Sequence, residues 1–217
     1  VSWAGMCGIS GVVQKKNRTV DRTAIDKMVA AQRHRGPDGE GVFEGPGFYF
    51  GHNRLAILDL SPAGHQPMQL ETTNSEKLVL VYNGEVYNYL EIREELLREG
   101  HVFRTRTDTE VILHAYQEWG SRCLSHFNGM FAFVIYDSAK NLLFGARDRF
   151  GVKPLHLRQN AGTFSFASEI KALLAVEKAD GFDRQTVVDY LYSGHINHSS
   201  RTFFKGIEAL KPGHYFE

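Results

Sequence analysis

The sequence predicts an α+β protein in which antiparallel sheets pack against helices. Segments with helical and strand-like spacing occur in blocks rather than in strict alternation, which disfavours a doubly wound parallel sheet. Two pairs of apolar segments joined by short polar turns predict β-hairpins, at 130–137 with 142–147 and at 155–158 with 163–167. A chain of 217 residues, 42% of them hydrophobic, is long enough to bury a core within one domain.

The other elements follow from the spacing of their apolar residues. Thr107 and Glu110 have the spacing of a capping box before an apolar helical pattern, and Gly100 ends the helix that precedes it. In chain order, the remaining predictions are a β-rich run at 8–14, a helix at 21–33, a strand pair or bent strand at 49–60, a short strand at 78–82, and helices at 89–100, 107–119, 168–176 and 184–192.

Charge and hydropathy argue against several classes of protein. Lysine plus arginine equals aspartate plus glutamate, 25 each, so no global field favours nucleic acid or a membrane surface as a partner. The longest apolar run, 130–136, is too short to span a bilayer, and the first residues lack the pattern of a secretory signal. With only Cys7 and Cys123 no disulfide framework is implied, and a reducing, cytoplasmic setting is expected. The sequence contains no P-loop and no cysteine pairs spaced for zinc.

Cys7 is the first candidate for chemistry. A cysteine acts as a nucleophile only where a base takes its proton or its surroundings lower its pKa, and the sequence pairs none of the ten histidines with it. Met6 precedes Cys7, and removal of a methionine at this point would expose an α-amine with a pKa of about 7.7–8.0, suited to general-base catalysis. On Cys7 alone, a buried and inert cysteine on an edge strand is the favoured interpretation.

Four further residues admit both a structural and a functional role. Arg54 lies in an apolar, strand-like stretch and needs an anionic partner, either a structural carboxylate, which is favoured, or a ligand. Asn83-Gly84 is first a turn signal at the end of a short strand, but an amide beside an unhindered N–H also provides two donors for an oxyanion. Asp108 is predicted at the first position of a helix, where it complements the helix dipole or binds a substrate ammonium.

Seven motifs occur in one order along the chain. They are Met-Cys-Gly-Ile-Ser-Gly-Val, Arg-His-Arg-Gly-Pro-Asp-Gly, Gly-His-Asn-Arg-Leu-Ala-Ile-Leu-Asp, Tyr-Asn-Gly-Glu-Val-Tyr-Asn, Thr-Asp-Thr-Glu-Val-Ile-Leu, Asn-Gly-Met-Phe-Ala-Phe and Ala-Arg-Asp-Arg-Phe-Gly-Val-Lys-Pro-Leu. From Met6 nearly to Glu217, the chain resembles the class II glutamine amidotransferase domain of glutamine-hydrolysing asparagine synthetases. The segments 64–67 and 210–215 favour that branch over phosphoribosyl- or sugar-phosphate amidotransferases.

The resemblance implies an N-terminal nucleophile hydrolase fold, a four-layer αββα sandwich of two antiparallel sheets between helical layers. It implies that Cys7 is the nucleophile with its own α-amine as the base, and that Asn83 and the Gly84 N–H form the oxyanion hole. It also implies that the substrate, glutamine, is bound by Arg54, Leu55, Ile57, Asn83, Gly84, Glu85 and Asp108. In this family Arg54 would hold the α-carboxylate of glutamine, and Glu85 and Asp108 its α-ammonium.

The resemblance also divides the chain. Residues 1–5 are expected to be an N-terminal extension or a remnant of expression, 6–176 the amidotransferase core, and 177–217 its C-terminal part, leading to an absent synthetase domain. ATP and Mg are expected only in that domain, because its Ser-Gly-Gly-x-Asp-Ser loop does not occur here, so this chain needs no cofactor of its own. A homodimer is compatible with the resemblance.

The chain departs from the family's pattern in two respects, the residues that precede Cys7 and the absence of the synthetase domain, and both leave alternatives open. As written, the α-amine of Cys7 is bonded to Met6, so the chain is expected to be inactive until Cys7 becomes N-terminal. One alternative is a non-catalytic glutamine-binding or assembly domain. Another is a glutaminase whose ammonia serves an acceptor other than aspartate, because acceptor specificity would lie in the absent domain.

Overall fold

The computed structural model describes residues 6–14, 20–56, 61–72, 76–160 and 162–217. These residues form two antiparallel sheets that pack face to face, each covered on its outer side by helices. The predicted four-layer αββα sandwich is confirmed.

The first sheet has six strands and contains the start of the described chain. Its strands are β1 (Gly8–Gln14), β2 (Gly39–Gly45), β3 (Phe48–Arg54), β8 (His156–Gln159), β9 (Thr163–Ala167) and β10 (Ile207–Ala209). They lie in the order β10-β8-β9-β1-β3-β2. β1 is therefore central, and it pairs antiparallel with β3 on one side and β9 on the other, with Gly8 opposite Asn53 and Ser10 opposite Ala167.

The second sheet has five strands. They are β4 (Met68–Glu71), β5 (Lys77–Val86), β6 (Gly129–Asp137), β7 (Leu142–Arg147) and β11 (Tyr215–Phe216), in the order β11-β7-β6-β5-β4. Apolar residues of β5 alternate between its two faces, because side chains of a strand point to opposite sides of the sheet. Leu78, Leu80 and Tyr82 face the helices, whereas Val79 and Val81 pack against the other sheet.

The helices form the outer layers. They are α1 (Arg22–Ala31), α2 (Tyr89–Arg98), α3 (Asp108–Trp119), α4 (Cys123–His126), α5 (Ile170–Val176) and α6 (Arg184–Ser193), with short 3-10 turns at Pro62–Gly64 and Gly120–Arg122. The apolar faces of α1 and α5 cover the six-stranded sheet, and those of α2 and α3 cover the five-stranded sheet. The core between the sheets is aromatic, with Phe48, Phe50 and Phe166 buried there.

The cap of α3 differs from the predicted capping box in one half. The Thr107 side chain accepts a hydrogen bond from the Glu110 N–H at 3.3 Å, as predicted. The Glu110 carboxylate does not return to Thr107; it accepts hydrogen bonds from the N–H groups of Arg104 at 2.8 Å and Thr105 at 2.7 Å. Glu110 therefore fixes the loop before the helix as well as the helix itself.

Strand pairing corrects one predicted segment boundary. Asn83-Gly84 is not a turn, because β5 continues through it to Val86, paired along its length with β6. The glycine-rich segment 39–41, for which the sequence predicted no element, forms the start of β2 and pairs with β3. Of the predicted strand pair at 49–60, the structure shows β3, and 57–60 lie outside the described residues.

Candidate active site

One cavity collects most of the predicted site residues. Cys7 lies just before β1, Arg54 ends β3, and residues 83–85 lie in the second half of β5. Asp108 begins α3. All of them line the same cavity, together with Leu55. The antiparallel register explains this assembly, because Gly8 opposite Asn53 places the start of β1 beside the end of β3. Ile57, also predicted to bind substrate, lies outside the described residues.

The thiol of Cys7 is held by the backbone of Leu55. Cys7 Sγ accepts a hydrogen bond from the Leu55 N–H at 3.4 Å and is 3.6 Å from the Leu55 carbonyl oxygen, to which it donates. Burial raises the pKa of the Cys7 thiol, and the Leu55 hydrogen bond and the positive charges of Lys153, Arg35 and Arg54 oppose that shift. The thiol is therefore protonated at neutral pH and needs a base before it can attack.

Within the described part of the chain, the groups that shift the pKa of Cys7 most include no histidine. His52, the nearest histidine in sequence to Arg54, is 1% exposed and donates through Nε2 to the carbonyl oxygen of Tyr82 at 3.2 Å. Burial lowers the pKa of His52 to about 3, so its ring stays neutral at physiological pH and is a weak base. The α-amine of Cys7 itself remains the expected base.

Asn83 and Gly84 present donors at the cavity. Asn83 is 1% exposed, and its Nδ2 has no hydrogen-bond partner within the described part of the chain. A buried donor without a partner is costly, so a site that keeps one open fits the binding of a ligand oxygen. Gly84 has no room for a side chain, because a Cβ would lie 2.3 Å from the carbonyl oxygen of Met130. The close approach of β5 to β6 thus requires glycine here.

Two carboxylates also line the cavity. Asp108 is 4% exposed, and its Oδ2 accepts hydrogen bonds from the Tyr82 hydroxyl at 2.7 Å and the Val86 N–H at 3.0 Å. Burial raises the pKa of Asp108, and these hydrogen bonds oppose the shift. Glu85 adds a second carboxylate to the lining. Arg54, 8% exposed, is a cation at the same cavity.

Sequence reasoning missed four residues that shape the site. Lys153 and Gln66 line the cavity, and Gln66 Oε1 accepts a hydrogen bond from the Tyr82 N–H at 2.7 Å. Arg35 Nε donates to the Cys7 carbonyl oxygen at 2.9 Å. Asp38 Oδ2 accepts from the Ala56 N–H at 2.9 Å. All four lie in segments that carried the resemblance, which was the available signal, but their contacts join elements distant in sequence.

Comparison with known proteins identifies the family. A family model described as a glutamine amidotransferase domain matches residues 6–217.

The chain belongs to the glutamine amidotransferase domain family.

Relatives of this amidotransferase domain include the asparagine synthetase [glutamine-hydrolyzing] 3 of Bacillus subtilis, which is 41% identical over 211 residues, 96% of this chain and 34% of the relative. The putative asparagine synthetase [glutamine-hydrolyzing] 2 of Methanocaldococcus jannaschii is 42% identical over 88% of this chain and 40% of the relative. The chain therefore spans between a third and two fifths of the length of these two relatives.

Solved structures agree on the fold. The glutamine phosphoribosylpyrophosphate amidotransferase of Bacillus subtilis superimposes with a TM-score of 0.67 at 22% identity, covering 78% of this chain and 43% of that structure. The amidotransferase domain thus has the N-terminal nucleophile type of fold that the resemblance implied. In the part of the chain that the structure describes, no helix combines the length and apolar character needed to cross a membrane.

Proposed function

We propose that this amidotransferase domain hydrolyses glutamine to glutamate and ammonia through a thioester on Cys7. The observation that carries the proposal is the composition of one cavity. It holds a thiol, a buried amide donor at Asn83 that has no partner among the described residues, cations at Arg54 and Lys153, and two carboxylates at Glu85 and Asp108. That set matches a zwitterionic amino acid with a carboxamide on its side chain.

The chemistry follows from these groups. The Cys7 thiol proton passes to the α-amine of Cys7, and the sulfur attacks the carboxamide carbon of glutamine. The Asn83 amide and the Gly84 N–H stabilise the oxyanion that forms. The tetrahedral adduct collapses, the C–N bond breaks, and ammonia leaves with the proton returned by the α-ammonium. Water then attacks the thioester, releasing glutamate and regenerating the thiol.

The α-carboxylate and α-ammonium of glutamine are proposed to bind to charged residues of the cavity. The Arg54 guanidinium would bind the α-carboxylate with two parallel hydrogen bonds, as its planar fork allows. Glu85 and Asp108 would accept hydrogen bonds from the α-ammonium. Leu55 and Ile57, which follow β3 in the sequence, would contact the substrate.

The base requires a free N-terminus at Cys7. While Met6 is attached, the Cys7 nitrogen is an amide and accepts no proton, so this form is proposed to be inactive. Loss of a general base lowers rates by about 10²–10⁴-fold. His52 offers no substitute, since its pKa of about 3 makes it a poor acceptor.

The experiment compares two forms of the chain, one retaining Met6 and one beginning at Cys7, with intact mass confirming each terminus. We expect glutamine-dependent release of ammonia and glutamate only from the second form. Cys7→Ala in the second form is expected to abolish release while glutamine still binds, measured by calorimetry. Cys123→Ala is the matched control, because Cys123 is fully buried away from the cavity.

Equal rates from the two forms would assign another base to Cys7. Glutamine binding by the Cys7-first form without turnover would instead favour a non-catalytic glutamine-binding domain.

We further propose that the ammonia serves an ATP-dependent asparagine synthetase domain that follows in a longer chain. The names and lengths of the relatives support this. The test is formation of asparagine from aspartate, ATP and glutamine by the longer protein. A different amidated product under the same conditions would move the chain to an amidotransferase with another acceptor.

A further inference from the structure

Lys153 is a buried cation that lines the cavity, and no step of the proposed hydrolysis uses it. Its side chain lies in the lining beside Cys7, and the residue is only 6% exposed. Within the described residues, its ammonium makes no ion pair and donates no hydrogen bond. Lysine is seldom buried without a partner, because removing its charge from water is unfavourable. An arrangement that keeps such a charge therefore needs an explanation.

The loop before Lys153 is built to hold it there. Asp148 Oδ2 accepts hydrogen bonds from the N–H groups of Lys153 at 3.0 Å and Phe131 at 3.2 Å. Its Oδ1 accepts from the N–H groups of Phe150 at 3.1 Å and Val152 at 3.0 Å. One carboxylate thus joins the loop to β6, the strand beside Asn83 and Gly84.

Arg147 fixes the other side of the same loop. Its guanidinium donates to the carbonyl oxygens of Lys153 at 2.8 Å, Gly151 at 2.7 Å and Leu210 at 2.6 Å. Gly151 adopts φ +64°, and a Cβ there would lie 3.0 Å from Arg147 Cζ. Both backbone groups of Lys153 are therefore bonded, and the backbone that carries its side chain has little freedom to withdraw.

The charge of Lys153 differs from that of Arg35, another buried cation near Cys7. Arg35 Nη1 is paired with Glu169 Oε1 at 3.0 Å, so its charge is balanced within the protein. Burial lowers the pKa of Lys153 most, and the positive charge of Arg35 lowers it further. The charges of Cys7, Asp148 and Glu85 oppose that shift. Cys7 and Lys153 thus each act on the ionisation of the other.

We propose that Lys153 is a positioning residue for the reaction, the counter-charge that favours the anionic sulfur of Cys7 over its thiol. The inference rests on the proposed glutaminase function. Lys153 transfers no proton in this step; the thiol proton still moves to the α-amine of Cys7. Before the transfer, its charge also keeps the α-amine unprotonated and therefore able to accept the thiol proton. The same charge stabilises the negative adduct formed after attack.

The alternative role for an unpaired lysine here is direct binding of the glutamine α-carboxylate. Such a contact would be made equally in the ground and transition states and would appear in KM. A charge acting through Cys7 changes kcat and the ionisation of the thiol. The two roles are therefore separable by measurement.

The test is the pH dependence of Cys7 alkylation by iodoacetamide in a Cys123→Ala background. This readout needs no glutamine turnover, and it is made on the chain that retains the residues before Cys7. Lys153→Met removes the charge at similar volume, Lys153→Arg keeps it, and Lys27→Met removes an exposed lysine from α1 outside the cavity. Thermal unfolding of each variant checks the fold, and Lys153→Gln is a second neutral variant if Lys153→Met unfolds early.

We expect Lys153→Met to move the alkylation midpoint upward by about one pH unit, a tenfold loss of thiolate. Lys153→Arg and Lys27→Met should leave it near the parent value. In forms beginning at Cys7, kcat for glutamine should fall about tenfold in Lys153→Met, with KM within about twofold.

An unchanged alkylation midpoint in well-folded Lys153→Met overturns the proposal. A raised KM with unchanged kcat also overturns it and assigns Lys153 to the α-carboxylate of glutamine. If no form beginning at Cys7 hydrolyses glutamine, the proposed function fails, and the alkylation midpoint still decides the role of Lys153.

Discussion

The carboxylate of Asp38 and the backbone N–H of Ala56 are joined by a hydrogen bond of 2.9 Å. The Asp38 N–H also donates to the carbonyl oxygen of Arg54 at 3.0 Å. These two contacts bracket Leu55, whose own N–H and carbonyl oxygen both contact the Cys7 thiol. Asp38 thus fixes the short segment that contacts the Cys7 thiol.

Asp38→Ala is therefore expected to lower kcat/KM for glutamine by about fivefold, the equivalent of about 1 kcal/mol for one hydrogen bond. Asp38→Asn keeps an oxygen acceptor and should retain most of the activity. Steady-state kinetics on forms beginning at Cys7 compare the two variants. An equal loss in both would mean that the charge of Asp38, rather than its hydrogen bond, matters.

Arg54→Lys keeps the positive charge but loses the planar fork that binds a carboxylate at two points. We expect KM for glutamine to rise about ten- to a hundredfold with kcat little changed, because a bidentate charged contact contributes about 1.5–3 kcal/mol. The measurement is KM by ammonia release. An unchanged KM would return Arg54 to a structural ion-pair role.

Tyr82→Phe removes the hydroxyl that donates to Asp108. That hydrogen bond opposes the rise that burial imposes on the pKa of Asp108, so its loss raises the pKa further. If the ionised carboxylate holds the glutamine ammonium, binding is lost as pH falls through that pKa. The rise in KM on acidification should begin at a higher pH in Tyr82→Phe than in the parent.

KM measured between about pH 4 and 8 tests this expectation, a range that spans the ordinary carboxyl pKa and neutrality. Asp108→Asn, which cannot ionise, should show weak binding with no step assignable to this residue. Superimposable profiles for Tyr82→Phe and the parent would exclude Asp108 as the group whose ionisation controls binding.

Glu110 is expected to make stability depend on pH. Burial raises its pKa, but hydrogen bonds with His114, Arg104 and Thr105 outweigh burial and lower the pKa from 4.5 to about 2. Because the folded-state pKa is depressed, the contribution is present above the unfolded-state pKa and is lost as pH falls toward about 2. Near neutral pH, Glu110→Gln should lower the free energy of unfolding by about 2–3 kcal/mol.

Urea unfolding near pH 7 and near pH 3 measures the difference in free energy of unfolding between the parent and Glu110→Gln. This difference should shrink at the lower pH. Glu91→Gln, on the exposed face of α2, is the control. The same loss at both pH values would show that packing rather than charge is responsible.

The sequence was a good guide where one element explains its own pattern. The helix from Asp108 and the two hairpins show their periodicity locally, and the structure confirms them. Asn83-Gly84 misled because a local turn preference was overridden by pairing with β6. β2, rich in glycine and glutamate, lacks an apolar alternation and is a strand because β3 lies beside it.

The candidate site, like the fold, was predictable where local sequence patterns suffice and not where it depends on contacts between distant segments. Cys7, Arg54 and Asp108 could be singled out as reactive or charged residues in apolar or capping contexts, and the resemblance supplied their roles. Their meeting in one cavity depends on the register of β1 against β3, which no local pattern encodes. Lys153 was not predicted, because its position depends on hydrogen bonds from Phe131 of β6 to Asp148 and from Arg147 to the carbonyl oxygen of Leu210.

The central place of β1 has a consequence for synthesis of the protein. The strand that follows Cys7 leaves the ribosome well before β9, and the Ile9 N–H finds its partner at Ser168 Oγ, 159 positions later. At about 5–20 residues per second, that separation corresponds to about 8–30 seconds of translation. During that interval β1 lacks one of its two neighbours. On the proposed function, nascent chains should therefore release no ammonia until β9 has emerged and paired with β1.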